Sequence, residues 1–334
     1  MSDQPPVSDE FRALFHAAAH ASSGVLPFDK FMELALYHPE VGYYRRDRPR
    51  IGYGGGTDFF TASTSGAVFG ELVAAACTSL VGAEHASSYH FVEIGAETEA
   101  GVLAGVAHPF ASARTIRVDA EVAQLSGRCI VFSNELFDAQ PFRRFIFHDN
   151  AWREIGVTFR GERLVETELP PTEPPADFPS SAPERYVIDA PFAAGGLARR
   201  IAEEPWHGLF VAFDYGKRWT EIAHECPAGT ARAYYRHTQS NDLLARPGEQ
   251  DLTCHICWDW LADALVQLGF STPTVESQEA FFIRRAAEFI AAASTADAAH
   301  FSRRKLSLLQ LLHPSHLGQK FQVLHAQRAP APSP

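Results

Sequence analysis

The spacing of apolar residues along the chain predicts an α/β protein. Phe31, Leu34 and Ala35 stand three and four residues apart, which is typical of a helix that buries one face. Short apolar runs bounded by glycine or polar residues recur further along and indicate buried strands. On these patterns we predict helices over Phe11–Ala21, Pro27–Tyr37, Gly66–Leu80, Ala193–Glu203 and Trp258–Leu268, others through Ile290 and Leu312, and a late strand FQVLHAQ.

The stretch Tyr89–Ala107 predicts a strand, a loop and a helix in succession. Its apolar run ends at Gly95, and a segment rich in Ala, Val and Leu follows. In doubly wound α/β folds such a unit opens a ligand site, because glycine lets the backbone approach a bound molecule and the helix N-terminus offers N–H groups. We therefore expect the fold to be organised around this stretch, with a helix reaching Ala107.

Only one short extended segment, Thr115–Val118, fits between this unit and the next clear strand, Cys129–Ser133. A complete dinucleotide-binding arrangement would need a helix, a strand ending in an acid, another helix and a third strand there. The interval is too short for all of them. Asp119 or Glu121 is the candidate remnant of the acid that would hold ribose hydroxyls.

Arg143–Glu168 alternates apolar and polar residues with turns at HDN and RGE, and this pattern predicts a β meander. The Pro-rich segment Pro170–Pro183 is predicted to be a loop. The resulting domain prediction is 1–56 N-terminal helical cap, 57–142 first part of the α/β core, 143–190 meander and Pro-rich insertion, 191–216 core helix and strand, 217–256 loop insertion, and 257–328 C-terminal helices and last core strands.

Composition narrows the class of protein. With 334 residues, 46% of them hydrophobic, the chain can bury the core of one large α/β domain with an insertion, or of two domains. A net charge of -11 argues against sequence-independent binding to nucleic acid, which needs a basic face. From the polar N-terminus, the lack of an apolar run of about 20 residues and five scattered cysteines we expect no targeting peptide, no membrane span and a cytoplasmic location.

Polar side chains gather where the predicted strands end. Asn134, Glu135 and Asp138 follow one buried strand, and Asp214 with Tyr215 follows another. Open α/β sheets place ligand-binding groups at the carboxyl ends of their strands. The alternative interpretation is ordinary capping of a turn by Ser133 or Asn134. Two carboxylates and an amide within five residues favour a site.

A second pattern has the paired spacing of a zinc site: Cys254 and Cys257, with His224 and Cys226 upstream. Cysteine is also a common buried residue, and His255 between the pair can serve elsewhere. We therefore adopt core packing as the interpretation of these cysteines and predict no metal.

Six sequence blocks carry a resemblance to a known family. They are FMELALYHPEVGYY (31–44), TDFFTASTSGAVFGEL (57–72), SNELFDAQP (133–141), FDYG (213–216), GTARAYYRH (229–237) and PGEQDLTCH (247–255). In this order they resemble the MidA-like family of S-adenosylmethionine-dependent methyltransferases, whose mitochondrial members assist complex I assembly. The resemblance implies a class I methyltransferase fold: an α/β, Rossmann-like, mostly parallel sheet with flanking helices and a substrate-binding insertion.

The resemblance also implies a cofactor and roles for individual residues. S-adenosylmethionine is the implied cofactor, and the implied catalytic carboxylates are Glu135 and Asp138, which would orient the nucleophile and help remove its proton. The implied cofactor-binding residues are Thr61, Glu93, Gly95, Gly101 and Asn134, and the implied substrate-binding residues are Asp214, Tyr215, Asp251, Thr253 and His255.

We therefore predict a methyltransferase that modifies an arginine of a partner protein, with a respiratory-complex subunit as the candidate partner. The glycine loop departs from the family pattern: Glu97 and Glu99 stand where glycines are expected, and Gly101 lies two residues later than the family's glycine. These departures leave a second function open, a catalytically impaired homologue that acts as an interaction or assembly protein.

Overall fold

The structure, a computed structural model of the chain, describes residues 5–44, 67–96, 100–117, 124–296 and 303–330. It contains two compact units. The first unit consists of Met1–Phe59, Phe137–Gly195 and Lys217–Asp259, and the second of Phe60–Leu136, Gly196–Gly216 and Trp260–Pro334. Each unit is therefore built from distant parts of the chain.

Within the described ranges the chain forms nine α-helices and sixteen strands. The helices are α1 (Asp9–Ala19), α2 (Phe28–Tyr37), α3 (Ala67–Val81), α4 (Phe192–Glu203), α5 (Trp219–Glu225), α6 (Trp258–Gln267), α7 (Gln278–Arg285), α8 (Ala287–Ala296) and α9 (Arg303–Leu312). The strands are β1 (Val25–Pro27), β2 (His90–Ala96), β3 (Ser112–Arg117), β4 (Gly127–Asn134), β5 (Arg143–His148), β6 (Ala151–Arg160), β7 (Arg163–Glu168), β8 (Val187–Ala190), β9 (Trp206–Asp214), β10 (Gly216–Lys217), β11 (Arg232–Tyr235), β12 (Thr238–Ser240), β13 (Asp251–Thr253), β14 (Ile256–Cys257), β15 (Thr274–Ser277) and β16 (Gln322–Arg328).

The helices predicted from apolar spacing are confirmed as α1, α2, α3, α4 and α6, each within two residues of its predicted ends. α1 shows why the pattern is reliable. The hydroxyl of Ser8 accepts the N–H of Phe11 at 3.2 Å and so caps the helix. Phe11, Phe15 and Ala19 then fall on one face, and all three are buried.

The second unit contains a six-stranded sheet in the order β15-β16-β9-β4-β2-β3. Strands β9, β4, β2 and β3 pair in parallel, whereas β16 is antiparallel to both β9 and β15. In the first unit, β1 and β5–β8 form one antiparallel sheet and β11–β13 another. The expected mostly parallel sheet is thus found only in part. One reason is that β16 begins beside Asp214, where β9 ends, and therefore runs back along it.

The helix predicted after β2 is wrong for the residues described there, 100–111, which form turns. Gly101 and Gly105 have φ of +64° and +69°, in the left-handed region, and Pro109 follows. Left-handed residues cannot continue a right-handed helix. The helix N-terminus that was expected to face a ligand is therefore not supplied by these residues.

One face of the second unit's sheet is covered by α3, α7 and α9. Phe69 of α3 contacts Phe132 and Phe213 on the sheet, with ring centroids 6.4 and 5.6 Å away. Gly70 lies against the backbone carbonyl of Val102, so closely that any Cβ there would collide with it. The small residues of α3 thus allow close packing, and they fix the position of the loop that follows β2.

The β meander predicted in the first unit is confirmed, because β5, β6 and β7 pair antiparallel in sequence order. Asp149 and Asn150 connect β5 to β6 with φ of +50° and +58°. Two left-handed residues in a two-residue loop match the twist of the flanking strands. Pro170–Pro183, predicted to be a loop, contains no helix or strand.

A buried carboxylate, Asp189 of β8, joins distant parts of the first unit. It accepts the backbone N–H groups of Thr230 and Ala231 at 2.7 and 2.8 Å and lies 2.5 Å from Nη1 of Arg144. Nε of Arg144 lies 3.1 Å from Glu166. Because a buried charge without a partner is strongly unfavourable, the network holds β5, β7, β8 and the segment before β11 together.

Replacing Asp189 with Ala is expected to lower the free energy of unfolding by about 3–5 kcal/mol, because the buried charge of Arg144 would lose its fully buried partner and the N–H groups of Thr230 and Ala231 would lose their acceptor. Urea unfolding followed by circular dichroism measures the loss. Asp177→Ala, which removes an exposed carboxylate, is the control and should change stability by less than about 0.5 kcal/mol. Equal unfolding midpoints for the two variants would contradict the proposed importance of the network.

Candidate functional site

Three parallel strands of the second unit end together at one edge of its sheet. Ile94 of β2 lies beside Ser133 of β4, and the next residue of β4, Asn134, lies beside Phe213 of β9. The carboxyl edge of parallel strands is where open α/β sheets bind ligands. Four residues predicted from the sequence meet at this edge: Gly95, Asn134, Glu135 and Asp214.

Gly95 must be a glycine for two reasons. Its φ is +82°, in the left-handed region. A Cβ at this position would lie 2.6 Å from Cδ1 of Leu136, which is well inside contact distance. Glycine is therefore required here so that the side chain of Leu136 can pack directly against the backbone at the end of β2.

The carboxylate of Glu93 closes the glycine loop. It is buried and accepts the backbone N–H of Val102 at 2.5 Å. Gly101 packs against the same carboxylate: a Cβ there would lie 2.5 Å from Oε2 of Glu93 and closer still to Thr115. A side chain at 101 would therefore push the returning chain away from β2, so glycine is needed for the loop to close.

Burial raises the pKa of Glu93 to about 7, although the N–H bond from Val102 acts in the opposite direction. Near neutral pH the group is therefore divided between its protonated and charged forms. A cation placed beside it would favour the charged form. The geometry can thus support binding of a positively charged group next to the glycine loop.

Asn134 and Glu135 form a direct contact at the end of β4. Nδ2 of Asn134 donates to Oε1 of Glu135 at 3.0 Å. Two buried side-chain atoms here, Oγ of Ser133 and Oδ1 of Asn134, have no hydrogen-bond partner among the residues that the structure describes. Buried polar atoms are normally satisfied, so Oδ1 of Asn134 marks a place where a ligand can donate.

Asp214 and Tyr215 lie at the neighbouring strand end. Asp214 is fully buried and accepts the backbone N–H of Tyr215 at 2.9 Å. The ring of Tyr215 meets that of Phe321 edge-on, with centroids 5.6 Å apart. These contacts fix the chain as it leaves β9, next to the strand that ends at Asn134.

The other predicted catalytic and substrate residues belong to the first unit. Asp138 is buried, and its backbone carbonyl accepts the N–H of Cys254 at 3.0 Å. Asp251 of β13 is buried too, and its carboxylate accepts the hydroxyl of Tyr44 at 3.1 Å and the N–H of Leu252 at 3.0 Å. These contacts join Asp138 to the residue that follows β13, and Asp251 of β13 to the segment that follows α2.

His255 follows β13 in the first unit, where Thr253 pairs with Arg232 of β11. Its backbone N–H donates to Oγ1 of Thr230 at 3.2 Å. Burial, and then the charges of Lys217 and Arg232, lower the pKa of its imidazole to about 4. The ring is therefore neutral at physiological pH, and one of its nitrogens can accept a hydrogen bond.

Several predictions fall on residues outside those that the structure describes. They concern Thr61 as a cofactor residue, Asp119 or Glu121 as the ribose acid, and the departures at Glu97 and Glu99.

All five cysteines are free thiols, and Cys254 and Cys257 are fully buried. Among the described residues, no group of three or more His, Cys, Asp or Glu side chains is arranged to hold a metal ion. No helix in these same ranges has the length and apolar character of a membrane span.

Three groups at this edge were not predicted from the sequence: the N–H of Val102, the carbonyl of Phe213 and the side chain of Leu136. A backbone group carries no residue-type signal, so the first two could not be found in this way. Leu136 does give a signal, because it is an apolar residue among the polar residues that follow β4. The sequence does not show which residue it packs against, because that residue, Gly95, is distant in the chain.

The central strands of this sheet are parallel, and a glycine loop, an amide and carboxylates lie at the carboxyl ends of the strands. This combination defines an α/β protein of the cofactor-binding type. A family model described as "Putative S-adenosyl-L-methionine-dependent methyltransferase" matches residues 65–275, more than half of the chain. The chain belongs to this family. Its cofactor is S-adenosylmethionine, and the resemblance predicted from the six sequence blocks is confirmed.

Individual relatives agree with this assignment. A protein of Danio rerio described as mitochondrial protein arginine methyltransferase NDUFAF7 is 24% identical over 313 residues, which cover 74% of this chain and 71% of that protein. Two crystal structures from Burkholderia thailandensis, one with S-adenosylhomocysteine bound, superpose with TM-scores of 0.81 and 0.79. Both are 23% identical, with 98% of this chain and 95% of theirs covered. The likeness shows an α/β methyltransferase-like fold.

The raised pKa of Glu93 predicts a pH dependence of stability. The folded protein holds the proton more tightly than the unfolded chain, so this carboxyl group stabilises the fold most below pH 4.5, and the contribution is lost as pH rises through about 7. The free energy of unfolding should therefore fall by about 3 kcal/mol between pH 4.5 and about 7, since one pKa unit corresponds to about 1.4 kcal/mol, and Glu93→Gln should remove this fall.

Urea unfolding of the original protein and of Glu93→Gln at a series of pH values measures this contribution as a difference. Glu33→Gln is the control, because the side chain of Glu33 is 56% exposed. If the original protein and Glu93→Gln lose stability in parallel as pH rises, Glu93 is not the titrating group.

Proposed function

We propose that this protein transfers the methyl group of S-adenosylmethionine to an arginine side chain of a partner protein. The arginine substrate is supported by the activity ascribed to the NDUFAF7 relative. The observation that carries the proposal is the meeting of a left-handed glycine, Gly95, and an amide–carboxylate pair at one strand edge. A respiratory-complex subunit remains the candidate partner, and the free thiols are consistent with a reducing cytoplasm.

The residues at this edge fit the cofactor. S-adenosylmethionine is positively charged at its sulfonium and ammonium groups, so it needs acceptors and negative charge nearby. Glu93 offers a buried carboxylate whose charged form a cation would favour. Gly95 and Gly101 keep side chains away from the path of the loop. We assign these three residues to the methionine end of the cofactor, and the family resemblance adds Thr61 to the proposed cofactor-binding residues.

When bound, the cofactor supplies a methyl group activated by its sulfonium. Methyl transfer is an in-line displacement, so the protein contributes mainly by positioning the two reactants. An arginine side chain is permanently charged and needs an anion to orient it. Glu135 would bind the guanidinium through charge-assisted hydrogen bonds and take a proton as the new bond forms.

The family resemblance adds further residues to the proposal. Asp138 is the second carboxylate with a proposed catalytic role. Its buried position, like that of Asp251, gives its carboxylate a fixed place in the first unit. The proposed substrate-binding residues are Asp214, Tyr215, Asp251, Thr253 and His255.

One observation favours the second function, a catalytically impaired homologue that binds a partner. Residues 100–111 form turns, where a helix N-terminus would otherwise attract the carboxylate of the cofactor. Calorimetric titration with S-adenosylhomocysteine discriminates between the two functions. A dissociation constant of about 1 μM supports the enzyme, and no detectable heat from a folded protein supports the homologue without activity.

Gly95→Val is expected to abolish binding of S-adenosylhomocysteine, because the added side chain would collide with Leu136 and cover the loop backbone. Titration calorimetry should show at least about 100-fold weaker binding, equivalent to about 2.7 kcal/mol. Gly95→Ala is the milder companion variant. Gly196→Ala is the matched control, since its Cβ would meet only Arg200 at 3.6 Å. Unchanged affinity in a folded Gly95→Val protein would show that the cofactor binds elsewhere.

Radiolabelled S-adenosylmethionine incubated with the enzyme and a protein extract should label methylarginine, identified after acid hydrolysis. Glu135→Gln should lower the rate about 100-fold or more, because the proposed orienting and proton-accepting carboxylate is lost. Glu33→Gln, which removes an exposed carboxylate, is the control. Label in methyllysine or in small molecules would rule out the arginine substrate, and an unchanged rate for Glu135→Gln would rule out its role.

A further inference from the structure

The chain leaves β4 through a strained backbone. Glu135, the first residue after the strand, has φ of +51°, in the left-handed region, yet its N–H still donates to the carbonyl of Phe213 at 2.9 Å. A residue with a Cβ is strained in this conformation, and glycine adopts it readily. A glutamate at such a position points to a functional need for its side chain.

The left-handed backbone brings two consecutive side chains together. On a regular strand, the side chains of Asn134 and Glu135 would point to opposite faces of the sheet. Instead, Nδ2 of Asn134 donates to Oε1 of Glu135 at 3.0 Å. The contact is possible because the alternation of the strand is broken at Glu135.

The carboxylate also determines which way the amide of Asn134 points. A carboxylate only accepts hydrogen bonds, so the amide nitrogen must face Glu135. The amide oxygen is then buried without a hydrogen-bond partner in the part of the chain that the structure describes. An unsatisfied buried acceptor is unfavourable, which indicates that the oxygen is kept for a donor from outside the protein.

We propose that Asn134 is a positioning residue for Glu135, fixing its carboxylate through Nδ2 and accepting an N–H of the same substrate nucleophile at Oδ1. Together the two side chains form a two-acceptor clamp. The clamp favours a nitrogen nucleophile with at least two N–H groups, because a hydroxyl or thiol has only one hydrogen to donate. The inference rests on the proposed function. It departs from the family resemblance, which gives Asn134 a cofactor-binding role.

The two roles for Asn134 predict different results for Asn134→Ala. A positioning role leaves the dissociation constant for S-adenosylhomocysteine within about 3-fold of the original protein and lowers kcat about 10-fold or more. It also moves the acid limb of the kcat/KM pH profile upward, because the carboxylate loses a donor that favours its charged form. A merely structural role would leave the acid limb in place.

Asn134→Asp should move the acid limb further in the same direction, since two carboxylates in contact resist ionising together. Asn241→Ala is the matched control: Asn241 is exposed, and affinity, kcat and pH profile should all stay unchanged. Affinity weakened about 10-fold or more in Asn134→Ala, with the pH profile unmoved, would assign Asn134 to the cofactor and overturn the proposal.

A second readout needs neither cofactor nor activity. Carboxyl carbon NMR of glutamate-labelled protein follows the titration of Glu135, whose signal is identified by its loss in Glu135→Gln. In Asn134→Ala and Asn134→Asp the signal should titrate at higher pH than in the original protein. If the original protein neither binds S-adenosylhomocysteine nor transfers methyl groups, the proposed function fails. An unchanged titration in both variants overturns the positioning contact itself.

The strain at Glu135 is tested by two variants that both remove the carboxylate. Glu135→Gly should unfold at a higher urea concentration than Glu135→Ala, because glycine adopts the left-handed conformation without strain. Both should lose methyl transfer equally. Equal unfolding midpoints would contradict the backbone part of the inference.

Discussion

The parallel alignment of β9, β4 and β2 is the constraint on which the candidate site depends. It makes three buried strands finish at the same edge, so that residues far apart in sequence become neighbours there. Both faces of these strands are covered, which leaves their ends as the place for polar side chains. The ladder continues to the N–H of Glu135, and the strands therefore fix the site more firmly than a surface loop could.

Beside this edge, the loop after β2 is held in place by close packing. Gly70 brings α3 against the carbonyl of Val102, and the N–H of the same residue bonds to Glu93. Gly101 allows the chain to return close enough for that bond. The loop is thus held from both sides, and the same burial that holds it raises the pKa of Glu93 to about 7. The position of the loop and the charge state of Glu93 are therefore linked.

Much of the architecture follows from local sequence. Local sequence located α1, α2, α3, α4 and α6: apolar residues three and four apart define a helix face in α2, for example, and a run of small residues indicated α3. Alternation and turn residues located the β meander for the same reason. Apolar runs ending in polar residues identified the strand ends with Gly95, Asn134, Glu135 and Asp214, and the order of the sequence blocks identified the family.

The sequence by itself determined the helices, the strand ends and the family, since each is a property of neighbouring residues. Only the tertiary structure decided the rest. The helix predicted after β2 is absent from residues 100–111, because packing against α3 and Glu93 favours left-handed glycines over the helical propensity of that segment. The antiparallel direction of β16 likewise arises from its pairing with β9, more than a hundred residues away in the chain. Contacts between distant segments leave no local pattern, and so the sequence could not show them.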